Sequence, residues 1–489
     1  MTRGIISFCI ALTLPSAPLP AAGQVVVLGD SLSFAYEAEF GFEVTLPSTS
    51  FPFTQTVGDG FGPEVRNWIE ILDDPAYRGQ HFALGARDSI GIDLPFPFTD
   101  ITLFFRQEYN WSVPGYRINQ LRRFLDGELT ISQILGESPE FADLQDALDN
   151  SDFSADDFAV ADLITQIQTT AERVVLFIGG NDVNGVYGTL YEGADPGTFA
   201  TGFLDDATFI IDWIQGHNPD IQIVLASIPH IGITPDVQSR FPTDSVKTAR
   251  VTSALRDLNK QLASLASARG IGYADLFSTT LSLLDPNPLC VHGIPFSNSG
   301  STTGDLDFVW LNGELSFNFH PNTSAQALIA NAMIDAFNRR YDTGIAPLTA
   351  TEILGGLLGK SPAQIDMPFS DWMTCHGLPG LAASDDSDRD LLPAGLEFAL
   401  GLDPTINDAV RISVQRIDHA GTPALEAAYP VRLPSSTKVS LSPASSATLG
   451  SGFTPFASNP APGPDGLARA VLPLTGSHGF LRLEASLIP

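Results

Sequence analysis

Four short blocks of the sequence hold the residue types that acyl transfer needs. In "QVVVLGDSLS", residues 24–33, an apolar run stops at Gly29, Asp30 and Ser31 and leaves a hydroxyl at the end of a strand-like segment. A serine hydroxyl becomes a useful nucleophile only beside a base. The block "FNFHPNTSAQALIANAMIDAFN" offers one in His320, on the loop before a helix. "VVLFIGGNDVNG" delivers Asn181, whose side-chain amide can donate to an oxyanion. "FALGARDS" delivers Gly85, whose N–H can approach a substrate with no Cβ in the way.

The elements that must position these residues are legible in outline. Continuous apolar runs, "QVVVLGD", "GQHFALG", "RVVLFIGG", "IQIVLASIP" and "GIGYADLF", suit strands covered on both faces. Between them lies helical periodicity, as in "TARVTSALRDLNKQLASLASARG", where Val251, Leu255, Leu258, Leu262 and Leu265 share a face. Strand, helix, strand predicts a doubly wound parallel sheet of the α/β class, with ligands at its carboxyl edge. A helix starting directly after Ser31 is expected to aim free N–H groups at a developing oxyanion. In the His320 block, Thr323 and Gln326 fit a capping box, with Ile329, Ala332, Met333, Ala336 and Phe337 as the buried face. Residues 41–66 and 91–114, rich in Phe, Pro, Thr and Gly, read as insertions at the sheet edge.

The ordered set of blocks resembles the SGNH superfamily, also called GDSL hydrolases, over roughly residues 24 to 341. Its characteristic Ser, Gly, Asn and His fall on Ser31, Gly85, Asn181 and His320, in that order. The resemblance implies a flavodoxin-like, doubly wound parallel five-stranded sheet and hydrolysis of esters without a catalytic cofactor. It also implies Ser31 as nucleophile and backbone donor, Gly85 and Asn181 as the other oxyanion donors, and His320 as base. One position departs: the family usually has an aspartate three residues before the histidine, and here that residue is Phe317. Glu314, Asp305, Asp307 or a main-chain carbonyl remain as groups to hold the imidazole, and Asn318 could orient the ring without adding charge. Rival chemistries lack their signatures: there is no Gly-x-Ser-x-Gly elbow, no histidine pair at helical zinc spacing and no phosphate loop.

The rest of the chain is read from composition. With 56 acidic against 25 basic residues the net charge is −31, which repels phosphate backbones and argues against nucleic acid as a partner. Residues 1–22, with Arg3 before an apolar stretch and small residues at Ala21 and Ala22, read as a secretory signal; its prolines break it short of a membrane span. The chain is therefore expected outside the cytoplasm. Cys290 and Cys375 then remain as one disulfide or two separate thiols. The hydrolase domain is expected over 23–345 and a linker over 346–405. A small β-sandwich-like domain is expected over 406–489. Within the linker, "DDSDRDLLPAGLEFALGLDP" places Asp386, Asp388, Asp390 and Glu397 at positions 1, 3, 5 and 12 of a calcium loop, with the Leu392 carbonyl at 7. Position 6 is Leu391, where glycine is expected.

Overall fold

The computed structural model describes residues 23–40, 43–46, 53–56, 59–92, 101–136, 159–284, 288–366, 368–407, 411–432, 437–446, 448, 452–456, 460–463, 467–474 and 479–488. The signal segment and parts of both expected insertions lie outside these. Five strands come first: β1 (Gln24–Gly29), the hairpin β2 (Glu43–Leu46) and β3 (Phe53–Thr56), and the hairpin β4 (Arg87–Ile92) and β5 (Ile101–Gln107). Then follow β6 (Ala171–Phe177), β7 (Gln222–Ala226) and β8 (Gly272–Ala274). β1, β6, β7 and β8 form a parallel sheet in the order β1-β6-β7-β8.

Alternation along these strands explains why both faces are covered. Val26, Leu28, Val174, Leu176, Ile223 and Leu225 enter one core cluster, whereas Val25, Val27, Val175, Phe177, Val224 and Ala226 enter the other. Such fully buried side chains each stabilise by roughly 1.5–3 kcal/mol relative to exposure. Helix Ser245–Arg269 covers the first face through Val251, Leu255, Leu258 and Leu262. It is capped by the Asp244 side chain and ends at Gly270, whose φ of +66° suits a residue without a Cβ. Helix Thr323–Tyr341 covers the second face through Ala327, Ala330, Met333, Ile334 and Phe337.

The fifth position of the sheet is split. Ala83 bridges Gln24, and Val25 donates its N–H to Ala83 O at 3.0 Å. The chain then leaves through the β4–β5 hairpin and returns, so that Trp111 N–H bonds Val27 O and Val113 N–H bonds Gly29 O. The expected strand "GQHFALG" thus supplies only the start of this edge. Its carboxyl end comes from 109–113, and the chain there turns through Gly115 with φ +75°.

Beyond the sheet, β9 (Leu289–Val291), β10 (Ile294–Ser301) and β11 (Phe308–Leu311) form a three-stranded sheet. Cys290 on β9 is disulfide-bonded to Cys375 with Cα atoms 5.7 Å apart. In the tail, β12 (Ser413–His419), β13 (Thr422–Pro430), β14 (Val439–Ser446), β15 (Thr454–Pro455), β16 (Leu467–Pro473) and β17 (Phe480–Leu487) make two three-stranded antiparallel sheets. Alternate residues of both, including Ala427, Tyr429, Leu441, Ala468 and Ala470, share one cluster with helix Ala394–Leu400, a sandwich-like arrangement. No helix among the described residues is long and apolar enough to cross a membrane.

Candidate active site

β1 ends where its carboxyl edge meets a tight turn. A Cβ at Gly29 would meet Phe177 O at 2.8 Å and Ser33 Oγ at 2.9 Å, so the close approach requires glycine. The expected helix does not begin at Ser31. Ser33 and Phe34 N–H both bond Asp30 O, Leu32 N–H bonds Asp30 Oδ1, and a helix starts only at Tyr36. The turn is stapled from outside by Trp68 Nε1–H on Ser33 Oγ and Asn110 Nδ2–H on Ser33 O. The hydroxyl of Ser31 is therefore held by a rigid turn, with no helix terminus behind it.

His320 is 289 residues away in sequence, and its Nε2 lies 2.7 Å from Ser31 Oγ. Its Nδ1 lies 2.9 Å from Ser316 O. A carbonyl only accepts, so Nδ1 carries the proton and Nε2 is free to accept from the serine hydroxyl. The Ser316 carbonyl thus takes the ring's Nδ1–H, while Glu314 is exposed, Asp307 pairs with Lys360, and Asp305 accepts from Asp307 N–H. Phe317, at the usual acid position, is 48% exposed with φ +53°, and Asn318 follows at φ +59°. Two consecutive left-handed non-glycine residues cost of order 1–3 kcal/mol each and persist only where other bonds impose them. Those bonds come from Asp59, whose carboxylate accepts Leu315 N–H at 3.0 Å and Ser316 N–H at 2.9 Å.

The imidazole is further fixed by main-chain pairing. Leu311 N–H bonds His320 O and Asn322 N–H bonds Val309 O, which ties the histidine to β11. The ring of Tyr36 meets it edge-on at 6.3 Å, and the Tyr36 hydroxyl donates to Pro321 O. The expected capping box is absent. Asn322 caps the helix, while Thr323 donates to Glu64 O and Gln326 accepts from Trp68 N–H, so both tie the helix to the 64–68 segment.

Burial pushes the His320 pKa down to about 4, against the upward pull of the Ser316 carbonyl and of Asp59. An imidazole that must be neutral to accept a proton then loses function only as pH falls through that value. The acidic limb of kcat/KM is expected near pH 4 to 5, well below the 6.5 of a free histidine. A pH–rate profile with its limb at 6.5 would contradict this.

The third block arrives on β6. Gly179 has φ +126°, and a Cβ there would strike Ile228 and Phe203. Helix Gly180–Glu192 follows and presents Asn181, whose Nδ2 donates to Tyr116 O at 3.0 Å. Asp182 accepts from Ile118 N–H and thereby docks the 115–118 turn on this helix. Asp30 is buried and Asp182 partly so, and desolvation raises each to about 7.

Ser31, Gly115, Asn181 and His320 line one cavity of about 230 Å³, with Asn184, Asp236 and Arg240 on its polar side. Gly85 is not in it. Gly85 lies beside the start of β1, where a Cβ would collide with Glu108 and Tyr109, because the β4–β5 hairpin interrupts the edge strand before it reaches the site. Gly115, at the true end of that strand, stands where Gly85 was expected. No β-branched run marks "NWSVPG", so periodicity gave no signal for it; the isolated glycine after proline was the only cue.

In the tail, carboxylate oxygens of Asp386, Asp388 and Asp390 lie within 4.8 Å of one another. Leu391 adopts φ +77° and is 88% exposed, so the turn expected of glycine forms with leucine in place. Asp388 Oδ2 is shielded from solvent and has no hydrogen-bond partner, which fits a hard-oxygen cation site. Glu397 is fully buried on helix Ala394–Leu400, outside the three-aspartate spacing.

Fold and site together define a hydrolase acting on ester bonds. Residues 105–328 match the GDSL-like lipase/acylhydrolase family. The match includes Asn181 and His320 and begins after Ser31. Among solved structures, the chain is similar to a GDSL-like lipase from Parabacteroides merdae, with 12% identity over 64% of this chain and 95% of that one and a TM-score of 0.31. It is similar to an extracellular lipase from Streptomyces rimosus, with 16% identity over 64% of this chain and 100% of that one and a TM-score of 0.30. It is also similar to a carbohydrate esterase family 3 protein from Talaromyces cellulolyticus, with 13% identity over 66% and 100% and a TM-score of 0.29. No curated protein matches the chain.

Proposed function

We propose that the protein is a secreted serine esterase or lipase that cleaves carboxylic esters through a Ser–His acyl-enzyme mechanism. The observation that carries this reading is the 2.7 Å contact between Ser31 Oγ and the unprotonated Nε2 of a carbonyl-oriented His320. Ser31 Oγ attacks the ester carbonyl carbon as His320 Nε2 takes the hydroxyl proton. The oxyanion is received by Asn181 Nδ2–H and the N–H groups of Ser31 and Gly115. Collapse expels the alcohol, which takes the proton from His320. Water, giving a proton to the same nitrogen, then attacks the acyl carbon; collapse breaks the bond to Ser31 Oγ, which takes the proton back from His320, and the acid is released. Assay of the purified protein on p-nitrophenyl butyrate, beside Ser31→Ala, tests the reading.

The donors are separable. Asn181→Ala is expected to lower kcat by about 10²-fold, the lower end for one oxyanion donor, because two main-chain donors remain. Gly85→Ala, remote from the cavity, should change thermal stability and leave kcat within about twofold. A kcat loss in Gly85→Ala matching that in Asn181→Ala would return Gly85 to the site.

Secretion is supported by the Cys290–Cys375 disulfide, which persists in oxidising compartments. We also infer that Asp386, Asp388 and Asp390, on the loop that also offers the Leu392 carbonyl, hold a structural calcium ion. Calcium binding to the folded state raises its melting temperature. The expected result is a rise on adding calcium that chelator reverses and Asp388→Ala abolishes. Identical melting curves with calcium and with chelator would remove the ion from the account.

A further inference from the structure

A second cavity, about 80 Å³ in volume, shares Phe319 with the Ser31 cavity. Its walls include Leu32, which follows Ser31, and Pro321, which follows His320, so it adjoins the reacting pair. Ile233, Leu283 and Leu328 also line it. Three polar side chains in its wall, Thr234, Thr280 and His230, are already hydrogen-bonded. Thr234 Oγ donates to Ile231 O, Thr280 Oγ donates to Phe277 O, and buried His230 is bonded through both ring nitrogens to Thr252 and Gly232. A sugar hydroxyl placed there would lose its water without gaining those partners. Hydrocarbon loses nothing. The Ser31 cavity, by contrast, is polar along Asn184, Asp236 and Arg240.

We infer that this apolar cavity receives the acyl chain of the substrate, a saturated chain of about six carbons, while the alcohol leaves through the polar cavity at Asn184 and Arg240. The inference rests on the Ser31–His320 reading and adds the substrate class. The length follows from the volume, since a water-sized group takes roughly 10–15 Å³ on this measure. Phe319, its ring 5.8 Å from that of His320, forms the wall between the two spaces.

The test is kcat/KM on p-nitrophenyl acetate, butyrate, hexanoate, octanoate and decanoate for the wild type, Ala325→Trp and Ser31→Ala. Ala325 lines the cavity, and an indole there fills it. The wild type should gain about fourfold per added methylene up to hexanoate or octanoate and then fall. Ala325→Trp should shift the optimum to acetate and lower the hexanoate-to-acetate ratio at least tenfold. If Ala325→Trp melts well below the wild type, Leu328→Phe carries the same expectation. A wild-type profile that peaks at acetate, or a filled variant with a profile parallel to the wild type, overturns the acyl assignment. A Ser31→Ala rate equal to the wild type overturns the Ser–His reading instead.

Discussion

Ser31→Ala and His320→Ala should each lower kcat on p-nitrophenyl butyrate by about 10⁴-fold or more, and the double variant should lose no more than either alone. A nucleophile and its base act as one unit, so removing the second member of a disabled pair costs little. The residual rate comes from binding and the oxyanion donors. The folds should survive, because one buried hydrogen bond contributes about 1 kcal/mol. Melting temperatures within a few degrees of the wild type would confirm that chemistry has been lost and the fold kept. Phe317 at the usual acid position motivates the opposite expectation, a binding protein that kept the fold without turnover. That protein would show one background rate across the wild type and both variants. The carbonyl of Ser316 weighs against it, since it fixes the tautomer that an acid would otherwise fix.

Which parts of this site were legible depended on how local their causes were. Ser31 and Asn181 each end an apolar strand at a turn whose glycines, Gly29 and Gly179, have no room for a Cβ, and that pattern is contained within ten residues. The parallel sheet was legible for the same reason, because "VVVL", "VVLF" and "IVLA" announce strands buried on both faces. Gly85 misled because "HFALG" looks like a complete strand, whereas its hydrogen bonds to β1 stop at Ala83 and resume only at Tyr109. Nothing in a local window shows that one strand is cut by a hairpin. The partner of His320 stayed open between carboxylates and a main-chain carbonyl for a different reason: a carbonyl has no residue type. Its selection over Glu314 depended on two left-handed residues, of which Asn318 is a type that favours such a backbone and Phe317 is not.

Asp59→Ala is expected to lower kcat by about 10³-fold, with KM little changed, although Asp59 touches neither Ser31 nor His320 in the hydrogen-bond network. Its carboxylate receives Leu315 and Ser316 N–H, and the Ser316 carbonyl in turn receives His320 Nδ1–H, so one peptide unit relays between an anion and the imidazole. Gly313 leaves the space, since a Cβ there would overlap the carboxylate. Without Asp59, the loop relaxes from its left-handed residues and the carbonyl leaves the ring, approaching the roughly 10⁴-fold cost of a misoriented base. The negative charge also favours the imidazolium that forms in the transition state. A merely structural role would lower stability and leave the titration of the remaining activity in place. A positioning role moves it: removing an anion that raises the His320 pKa must shift the acidic limb of kcat/KM to lower pH. Asp59→Asn should fall between the alanine variant and the wild type, because its amide keeps one acceptor for Leu315 N–H while losing both the charge and the second acceptor. An unshifted limb in Asp59→Ala, with kcat within threefold of the wild type, would show that the imidazole is held by β11 and Tyr36 alone.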